Sequence, residues 1–328
     1  MQGRVSVVIP TFNRAVLIGE TLASLSALRW HDVEVIVVDD GSTDETRTVI
    51  KQIRSDGFRW PLDYVWQPNA GPAAARNAGR RRARGEYLYH LDSDDLVVQG
   101  AFEALIPAME RAGASYALGI VENTDLEGNR DPDMPFSNHR VIHGDILGSH
   151  WYTHAALYRR EIIDRIHGYN EALTKGEDTE FHFRILATAG WPASCDDIIA
   201  SRRVHGYGHL SYGSTSRAAD IDAILTVYEH FIEACPAAFC TSRNASRVLG
   251  LGSESGLSGD KETKLRCCAI LLRMAASRPP LRYLRLWPVL LKPNSARYFC
   301  GLRLGMSTAA SIWRRMKSGK STVPKPMR

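Results

Sequence analysis

The 328-residue sequence lacks the common signatures of several large enzyme classes. No GxGxxG follows its first predicted strand and no GxxxxGK[ST] occurs anywhere, so neither a dinucleotide enzyme nor a phosphate-loop NTPase is indicated. The cysteines form no CxxC pair, which argues against a cysteine metal site and favours reduced, packed thiols in a cytosolic protein. They are Cys195, Cys235, Cys240, Cys267, Cys268 and Cys300.

Long apolar runs are also missing. No stretch of about 18 residues is apolar and free of charge, so the sequence predicts no membrane-spanning helix. The apolar run near the start ends at Pro10 and has no small-residue cleavage site, unlike a signal peptide. We therefore expect a cytoplasmic protein.

Charge is distributed unevenly along the chain. Residues 260–328 contain 16 lysines and arginines against two acidic residues, whereas the net charge of the whole chain is only +5. This basic region mixes arginine with tryptophan and leucine, which suits contact with the anionic inner face of a membrane as a peripheral protein. The alternative is a helical subdomain that packs on the preceding residues and has a solvated basic face. From about residue 318 the tail is expected to be disordered.

The preceding part alternates predicted strands with predicted helices. Continuous apolar runs predict buried strands, and the segments between them have helical spacing or helix-start signals. This order predicts a mostly parallel α/β sheet flanked by helices, with ligands bound at the carboxyl ends of the strands. The predicted strands are 5–9, 33–38, 62–66, 86–92 and 115–121, and the predicted helices are 15–28, 42–53, 71–83, 101–112, 177–190 and 262–277.

Three carboxylates follow the fourth predicted strand, in the segment DSDD. Asp92 and Asp94 would point the same way if the chain stayed extended, about 6–7 Å apart. Such clustering is unfavourable without a cation, and oxygen ligands favour Mg²⁺ or Mn²⁺ bound together with a substrate diphosphate. The alternative, a helix N-cap with solvated acids, accounts for one aspartate but not for three.

Two further segments reach the same edge of the predicted sheet. On a strand Asp39 and Asp40 face opposite ways, so one can reach a nucleobase or ribose while the other holds the turn at Gly41. DDGS alone is equally compatible with an ordinary strand–turn–helix. Arg76 can hold a diphosphate through two parallel hydrogen bonds, or it is a surface arginine on an alanine-rich helix. The arginines at 80–84 lack interleaved aromatics, so nucleic-acid binding is not expected.

Five segments occur in the order and at the spacings of family 2 glycosyltransferases, which the chain resembles over roughly residues 4–210. They are VSVVIPTFNR, VIVVDDGSTDET, NAGPAAARNAG, YLYHLDSDD and GEDTEFHFR. The resemblance implies a GT-A fold, a nucleoside diphosphate sugar donor and inversion at the anomeric carbon. It also implies a catalytic domain over 1–215, with a nucleotide-sugar half at 1–122 and an acceptor half at 123–215. A helical basic region would follow at 216–328.

The resemblance also implies roles for individual residues in donor binding. Pro10, Thr11 and Phe12 would line the base pocket, and Asp40 would accept a hydrogen bond from the base. Asp92 would face the ribose and the metal region, Asp94 would be the chief protein ligand of Mn²⁺ or Mg²⁺, and Asp95 would be structural. Asn13, Arg14, Asn69, Gly71 and Arg76 are assigned to the same nucleotide-sugar site.

On the acceptor side, the resemblance makes Asp178 the general base and Glu177 its neighbour that holds the acceptor or orients the base. Ordinary N-terminal capping of a helix is the alternative for both acids. His205 is assigned near the metal, although a lone loop histidine is more often a surface group. HGYNE replaces the family's GGF-D-E pattern, with His167 at the first glycine. Aromatic and histidine side chains nearby would stack on a sugar or pack in the core: Trp151, Tyr152 and His154.

These inferences predict an inverting, metal-dependent glycosyltransferase that moves a sugar, with UDP as the expected carrier, to an acceptor hydroxyl. A glycan or lipid-linked acceptor in cell-surface polysaccharide synthesis is expected. Two alternatives remain: a non-catalytic nucleotide-sugar-binding protein and a sugar-nucleotidyltransferase. The latter needs a glycine-rich, lysine-bearing loop after the first strand, where this chain has PTFNRAV.

Overall fold

A computed structural model describes residues 3–136, 141–143, 145–206, 217–241, 243–248, 251 and 261–277. In this part of the chain an eight-stranded sheet has the order β3-β2-β1-β4-β7-β6-β8-β5. The strands are β1 Val5–Thr11, β2 Val33–Asp39, β3 Leu62–Trp66, β4 Tyr87–His90, β5 Leu96–Val97, β6 Tyr116–Thr124, β7 Ala156–Arg159 and β8 Ala193–Arg203. The helices are α1 Ile18–Ser26, α2 Thr46–Ser55, α3 Pro72–Arg82, α4 Ala101–Ala112, α5 Arg160–Arg165, α6 Glu177–Ala189, α7 Arg217–Ala234, α8 Pro236–Phe239 and α9 Lys261–Ser277.

The first four strands form the parallel half of the sheet. β1 pairs in parallel with β2 and β4, and β2 pairs in parallel with β3. All seven residues of β2 are buried, as the apolar run predicts for a strand covered by helices on both faces. The loops that follow these strands therefore share one edge of the sheet, as the alternation of elements predicts.

The second half of the sheet is mixed. β7 lies antiparallel to β4 and β6, β8 is parallel to β6, and β5 pairs antiparallel with β8. Phe181 of α6 lies against β4, with its ring centroid 6.3 Å from that of His90. The predicted α/β sheet is thus confirmed, with more antiparallel pairing than the strand–helix alternation indicated.

The C-terminal helices pack on α6 through a second apolar cluster. Phe183 of α6 meets Phe231 and Tyr228 of α7, with ring centroids 5.4 and 6.4 Å apart. Ile270 and Met274 of α9 are buried in the same cluster. Up to residue 277, the described C-terminal helices pack on α6. The choice between a packed subdomain and membrane contact for the basic region stays a prediction. The rest of the basic region, including the tail expected to be disordered, lies outside the described residues.

None of the helices in the described ranges combines the length and apolarity needed to cross a membrane. The boundary of the catalytic domain near residue 215 falls in the undescribed stretch 207–216 and stays a prediction.

Two adjacent residues after α5 adopt left-handed backbone conformations, and they give a paired stability prediction. His167 has φ 63° and Gly168 has φ 76°. A Cβ on Gly168 would lie 2.2 Å from Asn77 Oδ1. We expect Gly168→Ala to lower the free energy of unfolding by roughly 2 kcal/mol or more. His167→Gly should change it by less than about 1 kcal/mol, because relief of strain offsets the added entropy of the unfolded chain.

Urea unfolding of both variants tests this. A Gly168→Ala protein as stable as the wild type would show that the loop does not need its left-handed turn.

Candidate active site

The loops after β1 and β2 are joined by the side chain of Asn13. Its Oδ1 accepts from Thr43 N at 2.8 Å, and its own N–H donates to Ser42 Oγ at 2.9 Å. Asn13 has φ 51°, a conformation that asparagine tolerates better than most residues. The contacts make Asn13 a structural tie between two loops of the predicted nucleotide site, while its role toward a ligand stays a prediction.

The two aspartates that end β2 take different directions, as expected for a strand. Asp39 accepts from Ser42 N at 2.8 Å and Tyr64 Oη at 2.6 Å, so it holds the turn at Gly41. Asp40 accepts from Gln67 Nε2, Ala70 N and Gly71 N at 2.7, 2.9 and 2.8 Å. Asp40 therefore fixes the chain that enters α3, and Gly71 sits at that entry with φ 89°. Asn69 lies in the same loop and is exposed.

The aromatic ring of Phe12, directly after β1, is exposed to solvent. Phe12 is 44% exposed, whereas Thr11 before it is buried and Pro10 is half-buried. A ligand that covered this ring would remove apolar area from water, which stabilises binding. The position suits a ring that stacks on a flat, partly apolar group.

The DSDD segment is a turn, and this separates its carboxylates. Asp95 N donates to Asp92 O at 3.1 Å. Asp94 Oδ2 lies 3.3 Å from Arg14 Nε and 3.4 Å from His205 Nε2, whereas Asp92 faces Arg76 and His154. Asp92 and Asp94 therefore have different partners, unlike in the extended geometry considered from the sequence. The side chain of His205 is buried, so the surface-group alternative does not hold for it.

A second cluster forms around His154. Its Nδ1 lies 3.6 Å from Asp92 Oδ2 and 3.3 Å from Asp95 Oδ2, and the ligand atoms of all three residues lie within 4.8 Å of one another. Burial alone would lower the pKa of His154, but the carboxylates of Asp95 and Asp92 outweigh it and raise that pKa. Burial raises the pKa of Asp95, and Asp95 also accepts from Arg203 N at 2.8 Å.

Arg76 connects this cluster to the start of α6. Its Nη2 donates to Asp92 Oδ1 at 3.0 Å and its Nη1 to Glu177 Oε1 at 3.1 Å. Arg76 is only 6% exposed, which excludes the surface-arginine alternative. Burial alone would lower its pKa, but Asp92, Tyr169 and Glu177 raise it, so the guanidinium stays charged. Its guanidinium carbon also lies 5.3 Å from the Tyr169 ring centroid.

The two acids of the GEDTEF motif open α6. Burial raises the pKa of Glu177, with a further contribution from Asp178, while Arg76 opposes both. Asp178 is half-buried, and its Oδ1 accepts from Thr179 N at 2.6 Å. Local capping therefore accounts for one oxygen of Asp178. The Asp178 carboxylate lies near enough to Tyr158 and Tyr169 to raise the pKa of both phenols, although burial is the larger cause.

The aromatic residues before β7 divide between core and site. Trp151 is buried and stacks on His182 of α6 with centroids 4.1 Å apart, so core packing explains it. Tyr152 is half-buried, with its ring parallel to that of His154 at 5.8 Å. Only Tyr152 keeps a partly exposed face.

Sequence reasoning missed the part played by Arg203. Its side chain is buried and donates to the carbonyl oxygen of Asp94, to Glu20 of α1 and to Thr21 Oγ1. Its backbone N–H donates to Asp95 Oδ1, so Arg203 stabilises the DSDD turn through both its side chain and its backbone. The only signal in the sequence was the basic pair before His205.

A cleft of about 560 Å³ lies away from these residues, at the amino ends of β2 and β3. Its lining includes Trp60, Arg54 and Arg84, and it contains none of the predicted site residues. The polar loops at the opposite edge are the better candidate site, because the carboxyl ends of parallel strands place several loops around one ligand.

Residues 6–167 match the model of Glycosyl transferase family 2. Over 247 residues, 70% of this chain, it is 30% identical to the succinoglycan biosynthesis protein ExoO of Rhizobium meliloti, covering 68% of that protein. A GalNAc(5)-diNAcBac-PP-undecaprenol beta-1,3-glucosyltransferase of Campylobacter jejuni is 36% identical over 116 residues, which span 35% of this chain and 36% of the relative.

Two solved structures share the fold. TarS residues 1–349 of S. aureus in complex with UDP-GlcNAc superimposes with a TM-score of 0.58 at 20% identity, covering 84% of this chain and 82% of that 1–349 chain. The mannosyltransferase PcManGT of Pyrobaculum calidifontis with GDP-Man and Mn²⁺ gives a TM-score of 0.56 at 18% identity, covering 98% of this chain and 89% of that enzyme.

Proposed function

Because the chain belongs to Glycosyl transferase family 2, we propose that it is an inverting glycosyltransferase that uses a UDP-sugar and a divalent cation. One observation carries the proposal. Arg76 joins Asp92, at the end of β4, to Glu177, at the start of α6, and so brings the carboxylates of the donor half beside the acids of the acceptor half.

The donor base would bind at the loops after β1 and β2. The exposed ring of Phe12 offers a stacking surface, and Asp40 retains acceptor capacity beyond its three hydrogen bonds. Arg14 lies 3.3 Å from Asp94 and would contribute positive charge close to the donor phosphates. UDP is proposed as the carrier, in keeping with the UDP-GlcNAc complex of TarS.

Asp94 and His205 fit a divalent cation. Their Oδ2 and Nε2 atoms are 3.4 Å apart, a separation that two ligands at 2.0–2.1 Å from one ion can adopt. One carboxylate and one imidazole, with sites left for phosphate oxygens, match Mn²⁺ as well as Mg²⁺. When bound, the ion stabilises negative charge on the departing nucleoside diphosphate. The Asp92–His154–Asp95 cluster also has suitable ligand types. Each candidate set lies beside one arginine, Arg14 at Asp94 and Arg76 at Asp92, so charge does not separate them. The resemblance of the DSDD segment to the family is what favours Asp94.

Asp178 is proposed as the general base. It would accept the proton of the acceptor hydroxyl as that oxygen attacks the anomeric carbon of the donor sugar. The same attack breaks the bond between the anomeric carbon and the diphosphate oxygen, and the nucleoside diphosphate leaves. Attack from the face opposite the leaving group inverts the centre and needs no enzyme nucleophile. Glu177 would fix the position of Arg76 beside the site, because its carboxylate is already paired with that guanidinium.

The acceptor is proposed to be a lipid-linked or growing glycan in surface polysaccharide synthesis. This rests on the names of the relatives, one a transferase acting on an undecaprenol diphosphate glycan and another a succinoglycan biosynthesis protein. Binding to an anionic membrane surface through the basic C-terminal region remains a proposal of the same kind.

A thermal-shift screen tests the donor and the metal together. We expect a UDP-sugar with Mn²⁺ to raise the Tm by roughly 5 °C at a hundredfold excess over Kd. UDP-glucose, UDP-galactose, UDP-GlcNAc and GDP-mannose would each be measured with MnCl₂ and with EDTA. Asp94→Asn should lose the metal-dependent part, whereas the exposed-site control Asp133→Asn should keep it.

Transfer to a panel of octyl glycosides then separates the alternatives. Binding without transfer or hydrolysis would identify a non-catalytic binding protein. Release of pyrophosphate from a nucleoside triphosphate would instead identify a sugar-nucleotidyltransferase. No shift with any nucleotide sugar would refute the proposed donor site.

A further inference from the structure

The connection between β6 and β7 is tied to the C-terminal region through the buried carboxylate of Asp145, which pairs with Arg247 and also lies 3.6 Å from Arg243 Nη1. Arg247, in helical residues 243–248, donates from Nη2 to Asp145 Oδ2 at 2.6 Å and from Nη1 to Asp145 Oδ1. Asp145 is 4% exposed, and its Oδ1 also accepts from Gly148 N at 3.1 Å. A bidentate arginine–carboxylate pair fixes both direction and distance, unlike a single contact.

The residues next to this pair extend the attachment. Ile146 and Leu147 pack against the apolar cluster that α6 shares with α7 and α9. A Cβ on Gly148 would lie 2.5 Å from Asp145 Oδ2 and 2.6 Å from Arg247 Nη2, so the backbone lies directly against the pair. The start of the connection is thus held by charge and by apolar packing.

The other end of the same connection reaches the candidate active site. Trp151 stacks on His182 of α6, and His154 lies between Asp92 and Asp95. Tyr152 sits between these two anchors, with the Arg202 guanidinium carbon 5.1 Å from its ring centroid. A half-buried tyrosine held in this way presents a rigid face at low cost in conformational entropy.

The connection touches two parts of the candidate site: His154 lies against Asp92 and Asp95 of the DSDD turn, and Trp151 packs on α6. In the sheet order, β4 and β7 separate β6 from β1, and β1 and β2 carry the loops of the proposed base pocket. The connection instead contacts α6, which begins with Glu177 and Asp178.

We propose that the Asp145–Arg247 pair positions Tyr152 as a wall of the acceptor site, where its ring packs against a sugar of a saccharide acceptor. Asp145 and Arg247 are positioning residues that act through the 145–154 segment. The helical region thereby determines acceptor binding without taking part in donor binding. This inference rests on the proposed glycosyltransferase function.

Arg247→Met tests the pair, and Arg266→Met is the matched control. Arg266 joins α9 to Glu229 and Asp222 of α7, so its loss disturbs the same helical region without touching Asp145. With the octyl glycoside selected by the panel, we expect Arg247→Met to raise the acceptor KM about tenfold and leave the donor KM within about twofold. Arg266→Met should leave both constants within about twofold. Arg247→Met should add little to Asp145→Asn, which already removes the pairing of Asp145 with both Arg247 and Arg243.

Hydrogen exchange on the full-length chain supplies a readout that does not depend on activity. Amides of residues 145–152 should exchange faster in Arg247→Met than in Arg266→Met, because only the former releases the connection. If residues 145–152 exchanged no faster in Arg247→Met than in Arg266→Met, the ion pair would not hold the 145–154 segment. Faster exchange in Arg247→Met with an unaltered acceptor KM would refute the proposal that Tyr152 forms part of the acceptor site. It would not contradict the proposed glycosyltransferase function. A wild-type protein that transfers no sugar would refute the proposed function itself, whatever the exchange result.

Discussion

Replacing Asp178 with asparagine is expected to lower kcat for sugar transfer by about 10²–10⁴ while the protein stays folded. Asparagine keeps the oxygen that accepts from Thr179 N, so the start of α6 is preserved. It cannot take a proton from the acceptor hydroxyl, which then remains a weak nucleophile. Steady-state kinetics with a saturating UDP-sugar and Mn²⁺ measure the effect, and the donor KM should change little.

Glu161→Gln is the matched control, because Glu161 is an exposed acid in the first turn of the neighbouring helix α5. It should retain wild-type kcat. A Glu177→Gln enzyme that loses more activity than Asp178→Asn would move the base to Glu177, whose pKa burial raises. Full activity of both variants would refute the assignment of this motif to catalysis.

Replacing Arg76 with methionine is expected to produce the largest loss of stability, on the order of 3 kcal/mol. The arginine is the shared partner of Asp92 and Glu177. Its removal leaves the poorly solvated Glu177 carboxylate without its cation and leaves Asp92 with only His154 beside it. Burial already raises the pKa of Glu177, and without Arg76 that shift grows. Urea unfolding monitored by circular dichroism measures the change in the free energy of unfolding.

Two further variants show whether the bridge is the cause. Arg82→Met removes an exposed arginine of the same helix, paired with Asp63 at the surface, and should cost less than about 0.5 kcal/mol. Adding Glu177→Gln to Arg76→Met should recover part of the lost free energy of unfolding, since the unpaired charge of Glu177 is removed. If Arg76→Met were as stable as Arg82→Met, the bridge would not hold the two halves together.

The local elements of this fold follow closely from the sequence. The apolar runs predict β1 to β4, and two predicted elements, β3 at Leu62–Trp66 and α4 at Ala101–Ala112, have the bounds that the structure shows. The local pattern of apolar residues is enough to predict these elements, because each of them packs on neighbouring helices or strands through a definite face. Parallel pairing then places the four polar loops at one edge without further information. The five matching segments identified the family for the same reason, since each is continuous in the chain.

The short strands β5 and β7 and the long strand β8 were not predicted. β8 alternates buried and exposed residues irregularly, with a register shift against β6, so its period is unclear in the sequence. The DSDD segment shows the same limit on a smaller scale. Its turn depends on Arg203, which follows it by more than a hundred residues.

The sequence by itself determined which residue types could form the site and at which ends of which strands they stand, because strand direction and spacing are local properties. Only the tertiary structure decided their partners. Arg76 meets Glu177, His154 lies between Asp92 and Asp95, and Asp145 is held by Arg247, all across long separations along the chain. Such contacts are selected by burial, where an unpaired charge is too unfavourable to persist, and no local pattern of residues encodes that choice.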